Sequence, residues 1–426
     1  MKKIRKWKIV GLAVCLILAM SCLFGCAPAA EESPTGSQTQ EQSPAADQSS
    51  AAGGTDAAAS DVPYAKLGTM DISATGKINV SVVENVDYIA ANMPNGGEFI
   101  LEIDSLTDPE SMISNIEKLI AAGCNGLTVC AVNDAMLIKV AQLCEEAGVY
   151  WAVIYREIID EEVREVVYNS PYFVGTVVQD DERAGYDVAK AMADSGMKKV
   201  GLISLDKSSS TSILRERGIA KACEETGMEI VAEARDLAQA TDAAQAVESF
   251  MTANPDLDGV MIAASMGVNI LDGVINTLEQ YDPEGNVKVG LIDFVEGMDS
   301  AFDKGRIVVT RGGIFVPTVT TASMLILNAI TDGERMEGEA HDIKVNFGEI
   351  TTMEEFENFD KYVEGQLPWY TYEEVQQYLK VFNPDVTAKD ITEMAESFNL
   401  AELYERHADL EPPVPGPNKD YVGYVE

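Results

Sequence analysis

Only two histidines, His341 and His407, occur in 426 residues. Ser-His or Cys-His nucleophile pairs and histidine-rich metal sites therefore have almost nothing to draw on. No GxGxxG follows a strand-like run, Gly76-Lys77 lacks the upstream glycine of a phosphate loop, and neither a calcium-loop pattern nor HExxH is present. Dinucleotide, nucleoside triphosphate and dedicated metal chemistry lose their usual signatures, so no cofactor and no metal is expected. Asp180 and Asp181 are paired acids, but adjacent carboxylates in one loop do not supply the ~5 to 9 Å separated pair of a glycosidase. The chain is read as a non-enzyme. Cations are scarce too: 31 Lys and Arg stand against 70 Asp and Glu, a formal charge of -39. Five of those cations lie in the first eight residues, so the remainder is more acidic still, a poor partner for nucleic acid or an anionic membrane surface. CxxC spacing is missing. Cys124, Cys130, Cys144 and Cys223 sit singly in apolar segments, the pattern of buried thiols more than of zinc ligands or bridges. Finally, no hydrophobic run is long enough to be a permanent span: residues 9–23 would make a helix of roughly 23 Å against a hydrocarbon core of ~30 Å.

That short run is preceded by Lys2, Lys3, Arg5, Lys6 and Lys8 and ends in Leu23-Phe24-Gly25-Cys26. A basic, then apolar, then small-residue order is that of a secretory signal peptide. The last four residues resemble a bacterial lipobox, with Phe24 bulkier than the usual residue; a competing site at Cys22 has Ala19 in place of the branched residue. The resemblance implies cleavage after Gly25 and acylation of Cys26 with palmitate-type chains. Residues 1–25 are thus read as a lipoprotein signal peptide, and 26–70 as the lipidated cysteine with a disordered tether. Residues 27–61 are Ala, Ser, Glu, Gln, Gly, Thr and Pro with almost no large apolar side chain, too little to bury a core.

The body, 46% hydrophobic and 24% charged over the whole chain, is that of a soluble globular protein. Its pattern is clearest from Asp108 to Arg156. Asp108 caps a helix with Pro109 at its first position, and Met112, Ile113, Ile116, Leu119 and Ile120 make one apolar face that stops at Gly123. Residues 127–132 form an apolar run without alternation, as in a strand covered on both faces. A second helix carries Leu137, Val140, Ala141 and Cys144 inward and ends at Gly148; residues 149–155 are another buried strand, followed by Arg156. Strand, helix and strand joined by tight turns close as right-handed parallel crossovers of a doubly wound α/β sheet.

Read in order, residues 77–83 are expected as the first strand, 86–93 as a short helix, 99–103 as a second strand and 171–178 as a fifth. From Lys199 the alternation repeats, with strands near 200–205, 229–234, 260–264 and 287–292. Two consecutive arrays of similar size mean two similar domains. A strand at 307–310 and a helix at 318–331 return the chain to the first domain, and 343–345 return it to the second. The expected lobes are 71–178 plus 314–342 and 179–313 plus 343–350.

In this order the segments DPESMISNIEKLIAAGCNGLTVCAVND, EAGVYWAVIYRE, GTVVQDDERAG, SILRERGIAKACEETG, TANPDLDGV and KVGLIDF resemble the type I solute-binding proteins of sugar ABC transporters, the ribose-binding group in particular. The resemblance covers residues 72–344. It implies two doubly wound parallel-sheet domains joined by a multi-strand hinge, a monomer that captures a small polar, sugar-like ligand in the cleft and delivers it to an ABC permease at the extracytoplasmic face of the cell membrane. The alternative is a sensor that reports to a membrane kinase or chemoreceptor. A LacI-type repressor shares the core, but its helix-turn-helix is absent here. The family's sugar-binding arginines and aspartate map to Arg156, Arg217 and Asp293. Tyr155 stands where the family has an aspartate, Ala264-Ser265 where it has Asn-Asp, and Gly313 near a hinge glutamine. Tyr88 is the remaining candidate for a stacking aromatic, and Arg311 would favour an acidic or phosphorylated sugar. Asp180 and Asp181 either tune the hinge or cap the next helix.

Residues 351–426 have no counterpart in the minimal fold and read as a helical C-terminal extension and tail. FENFDKYVEG, TYEEVQQYLKVFN, TAKDITEMAESF and LAELYERH each have amphipathic spacing, divided by Pro368 and Pro384. Trp369 and Tyr370 either lie over the cleft or pack on the body, the commoner use of such side chains.

Overall fold

The first strand begins inside the stretch that reads as tether. In the computed structural model, which describes residues 62–70, 76–102, 108–264, 269–313, 315–336, 341–363, 367–411, 414, 416 and 417, Ala65–Met70 is β1. It pairs in parallel with β2 (Gly97–Glu102) on one side and β3 (Gly126–Val129) on the other. The signal peptide, Cys26, residues 27–61 and Ser265 lie outside the described residues. The expected strand at 77–83 is instead part of α1, Gly76–Ala91. Its β-branched residues suit a strand locally, but Val82, Val86, Ile89 and Ala90 with Met93 beyond the helix fall on one helical face, and all five are buried. Burial of that face overrides local propensity.

After α1 the alternation runs as the sequence predicts. The first array continues α2 (Pro109–Ala121), α3 (Met136–Ala147), β4 (Tyr150–Tyr155), α4 (Glu161–Tyr168) and β5 (Phe173–Gln179). The second is α5 (Asp181–Asp194), β6 (Lys199–Ser204), α6 (Ser210–Thr226), β7 (Glu229–Arg235), α7 (Ala240–Ala253), β8 (Gly259–Ile262), α8 (Leu271–Tyr281), β9 (Lys288–Ile292), α9 (Met298–Asp303) and β10 (Ile307–Gly312). Then come α10 (Phe315–Asp332), β11 (His341–Val345), β12 (Gly348–Ile350) and four helices, α11 (Met353–Tyr362), α12 (Tyr372–Gln376), α13 (Ala388–Glu396) and α14 (Leu400–His407). The caps follow the sequence: Asp108 accepts from the amides of Glu110 and Ser111, and α3 ends at left-handed Gly148.

Two six-stranded sheets result, ordered β11-β5-β4-β3-β1-β2 and β12-β10-β9-β8-β6-β7. All described pairings are parallel except β10 with β12. This is two doubly wound lobes with a helical C-terminal region. The chain changes lobe between β5 and α5, between β10 and α10, and between β11 and β12. Since all of β11 pairs with β5 in the first sheet, residues 343–345 belong to the first lobe, and the third change falls at Asn346-Phe347 rather than at 343. The first and third crossings are tied together, the Asp180 amide donating to the Val345 carbonyl at 3.3 Å.

Helix α10 is buried on every side, from Val316 to Ile330. A helix apolar all round must be covered all round. One face lies on β3, β4 and β5; the other is covered by α1 and α13. Asn328, its one buried amide, donates to the Tyr378 carbonyl and accepts from the Lys380 amide, both in the C-terminal extension. The four described cysteines are all free thiols; Cys124, Cys130 and Cys144 are buried and Cys223 is half-buried. No helix among the described residues is long and apolar enough to cross a membrane.

Candidate functional site

Gln179 ends β5, Ala263 follows β8 and Asp293 follows β9, so all three stand at carboxyl ends of parallel strands, where open α/β sheets bind ligands. One side chain joins them. Arg215, on α6 and 3% exposed, donates from Nε to Asp181 Oδ1 (2.7 Å), from Nη1 to the Ala263 carbonyl (2.6 Å) and Asp293 Oδ2 (3.1 Å), and from Nη2 to Gln179 Oε1 (3.2 Å). The ring of Phe347, at the third crossing, lies 5.8 Å from its guanidinium. The first lobe, the second lobe and two hinge segments therefore meet on one cation.

This arginine is held there by helix packing. Ser212, Leu214, Arg215, Gly218, Ile219 and Ala222 form the inward face of α6. Gly218 and, on α5, Gly185 let the two backbones touch: a Cβ on Gly185 would come within 2.8 Å of the Arg215 carbonyl carbon, and one on Gly218 within 2.6 Å of the Tyr186 amide nitrogen. Asp180 caps α5 by accepting from the Arg183 amide, which leaves Asp181 at the first helical position beside Arg215. Burial works against the guanidinium's charge, but Asp293 and Asp181 outweigh it and hold it charged above its ordinary range.

Two carboxylates share that one cation, and this strains the more buried of them. Asp181 is raised to about 6: burial raises it most, Arg215 opposes that rise, and Asp293 and Glu157 add to it. Because the folded value lies above the ordinary 3.8, the stability contributed by this group is complete below about pH 4 and is lost as pH rises through about 6. A fall in melting temperature between about pH 4.5 and 7 is expected in the parent and should be absent in Asp181→Asn. Parallel pH profiles in the two proteins would exclude this origin.

Tyr155 and Asp293 share an unusual backbone. Each has a positive φ, 69° and 83°, and each stands at the end of the fourth strand of its array. Non-glycine residues there are strained by about 1 to 3 kcal/mol and collect at binding sites. The turn after Tyr155 exposes Arg156, whose Nη1 donates to the carbonyls of Ala131 and Val132 at the end of β3. The turn at Asp293 keeps its carboxylate 28% exposed although one oxygen is on Arg215. Tyr155 itself is buried against Phe315, donating to its carbonyl at 3.2 Å, and burial raises its phenol well above the ordinary range.

The remaining expected residues are elsewhere. Arg217 projects from the opposite side of α6, 59% exposed, and pairs with Glu182 at the surface; the inward arginine is Arg215, two residues earlier. The signal was available, because Arg215 is in step with Gly218, Ile219 and Ala222. Tyr88 is no cleft aromatic: it is fully buried on α1, where its hydroxyl accepts from the Tyr372 amide, and burial raises it to about 12. Arg311 is held by Glu349 (2.7 Å) and Asp187 (3.2 Å), a rim ion pair instead of an addition to the network. Trp369 and Tyr370 are buried in the extension, Trp369 stacked on Phe398 at 5.9 Å.

Residues 85–334 match a family model described as a periplasmic binding protein domain, more than half of the chain. The chain belongs to this family. Its fold is that of the sugar-type solute-binding proteins. A solute-binding protein from Actinobacillus succinogenes, solved with bound D-allose, is 18% identical, with a TM-score of 0.59 over 69% of this chain and 99% of that one. One from Bacillus halodurans with bound myo-inositol is 16% identical, TM-score 0.57, covering 70% and 98%. One from Burkholderia graminis with D-arabinose is 18% identical, TM-score 0.55, covering 69% and 96%. No curated protein matches the chain. In this periplasmic binding protein, α11 to α14 lie beyond the matched residues.

Proposed function

We propose that the protein is an extracytoplasmic solute-binding lipoprotein that captures a small polyhydroxylated ligand, a sugar or close derivative, between its lobes and delivers it to an ABC permease. The observation that carries this is the junction at Arg215: strand ends of both lobes converge on it, with the half-exposed Asp293 carboxylate on one side and exposed Arg156 at the end of β4. A carboxylate already fixed on one oxygen and a guanidinium anchored by backbone carbonyls suit vicinal hydroxyls, which offer donors and acceptors together. Neutral ligands fit better than acidic ones, since Arg311 is occupied by Glu349 and Asp187. The sugars bound by the structurally similar proteins are of this chemical class.

Thermal-shift screening against sugars, sugar acids and nucleosides, followed by calorimetry, tests the reading. A neutral sugar or polyol is expected to bind, and Arg156→Ala or Asp293→Asn should weaken it by about tenfold to over a hundredfold, the equivalent of one charge-assisted hydrogen bond. Parental affinity in both variants would remove these residues from the site. Cells lacking the protein should lose uptake of the same ligand. The anchor has its own check: the basic, apolar and small-residue order that leads to Cys26 supports lipidation, so Cys26→Ala should shed the protein from membranes, and firm retention would assign the anchor to something else.

A further inference from the structure

The extension makes a fourth crossing of the hinge. Helix α11 continues from β12 and packs on the second lobe: Phe356 meets Phe302 of α9 (ring centroids 6.2 Å), and Phe359 meets Phe294 edge-on at 4.7 Å. Phe294 is the residue after Asp293 and lies over Gly312 and Gly313, so this contact reaches both the binding loop and the second crossing. The chain then moves to the first lobe. The Trp369 amide donates to Asn85 Oδ1 (2.8 Å) and the Tyr372 amide to the Tyr88 hydroxyl (3.2 Å), both on α1; Lys380 pairs with Asp332 of α10; and α13 packs on β11 and α10. Helix α14 finally returns to α11. Tyr404 donates to the Glu355 carbonyl (3.3 Å), His407 Nδ1 is 2.7 Å from the Tyr362 carbonyl, and Leu400 lies against Gly348 of β12.

We propose that helices α11 to α14 are a clasp on the hinge. Helix α11 moves with the second lobe, α12 and α13 move with the first, and the seam between them limits how far the lobes part. Phe359 is the centre of that seam: it touches Phe294 on one side and Trp369, 6.4 Å away and edge-on, on the other. The seam is aromatic and buried, with Phe359, Trp369 and Leu403 each at most 5% exposed. Hinge closure in two-lobed proteins depends on a few segments that absorb the dihedral change. A packed fourth connection removes freedom from that motion, holds the empty protein nearer to its binding-competent shape and so reduces the loss of affinity that a mostly open state imposes.

The test needs no ligand, so its failure is separate from failure of the sugar-binding reading, although it rests on that reading's hinged lobes. Spin labels are placed on Glu117→Cys of α2 and Glu224→Cys of α6, both exposed, in a full-length chain that carries Cys15→Ser, Cys22→Ser, Cys26→Ser and Cys223→Ser, and inter-lobe distances are measured by pulsed electron paramagnetic resonance. With Phe359→Ala the distribution should broaden and its mean should move outward. Tyr404→Ala, on the α14 side of the seam, should do the same and carries the test if the first variant does not fold. Lys389→Ala, an 81% exposed side chain that pairs with Glu393 on its own helix, should match the parent. Parental distributions in every folded seam variant would overturn the proposal.

Discussion

Arg215→Ala is expected to lower the stability of the protein by roughly 3 to 5 kcal/mol, the usual penalty for removing one partner of a buried ion pair and stranding the other. Here two carboxylates are stranded, Asp181, 5% exposed, and the Arg215-bound oxygen of Asp293, along with the Ala263 carbonyl and the Gln179 side chain. A drop in melting temperature on the order of 10 °C should accompany it. Arg217→Ala sets the scale. That side chain holds only Glu182 at the surface, and its loss should stay within about 0.5 kcal/mol. Arg215→Lys keeps the charge without the planar fork that serves four acceptors and should fall between the two. Denaturant unfolding of the three variants decides the matter: equal effects at 215 and 217 would mean that the buried network does not organise this lobe.

The second large effect is expected from Gly218→Ala. Helix propensity alone predicts a gain of about 1 kcal/mol for this change. Packing opposes it, because the new methyl would overlap the Glu182 carbonyl oxygen and crowd the Tyr186 amide. Both are backbone atoms of α5 and cannot swing aside, so the helices must separate. Overpacking of this kind costs typically 1 to 3 kcal/mol, and the upper end applies where no side chain can yield. Gly218 is one turn from Arg215, and Glu182 is next to Asp181, so separation also pulls the guanidinium from its carboxylate. Because Arg215 holds the Asp181 carboxyl down, its withdrawal should push that carboxyl further up, and the fall in stability with rising pH should steepen as the melting point drops. A Gly218→Ala protein more stable than the parent would show that α5 and α6 pack less tightly in solution.

The same pair of helices shows what the sequence could and could not convey. The alternating arrays, the caps at Asp108 and Gly148 and the four helices of the extension were legible because each is a local pattern, in period, cap or breaker. β1 was not: AKLGTM follows a low-complexity stretch and has few large apolar residues, and its strand character comes from pairing with β2 and β3. Its neighbour failed the opposite way, since the β-branched run at 77–83 only makes sense as a helix once the face through Val82, Val86 and Ile89 is continued. At the site, the segment SILRERG offers two arginines for the family's one, and the match falls on Arg217 although the inward period selects Arg215. The left-handed backbone at Tyr155 and Asp293 has no signature in residue type. Nor does the path of the extension, because amphipathic spacing says that a helix is covered and not by what.

The four free thiols acquire a meaning from their surroundings. Burial raises Cys124 to about 11 and raises Cys130, Cys144 and Cys223 as well, so at neutral pH each is almost wholly protonated. The thiolate is the nucleophile that attacks disulfides and reacts with oxidants. The four cysteines among the described residues can thus persist unbridged in an oxidising compartment for as long as the lobes stay folded. Packing keeps Cys124, Cys130 and Cys144 in their unreactive form, so these three thiols should oxidise only after the lobes unfold.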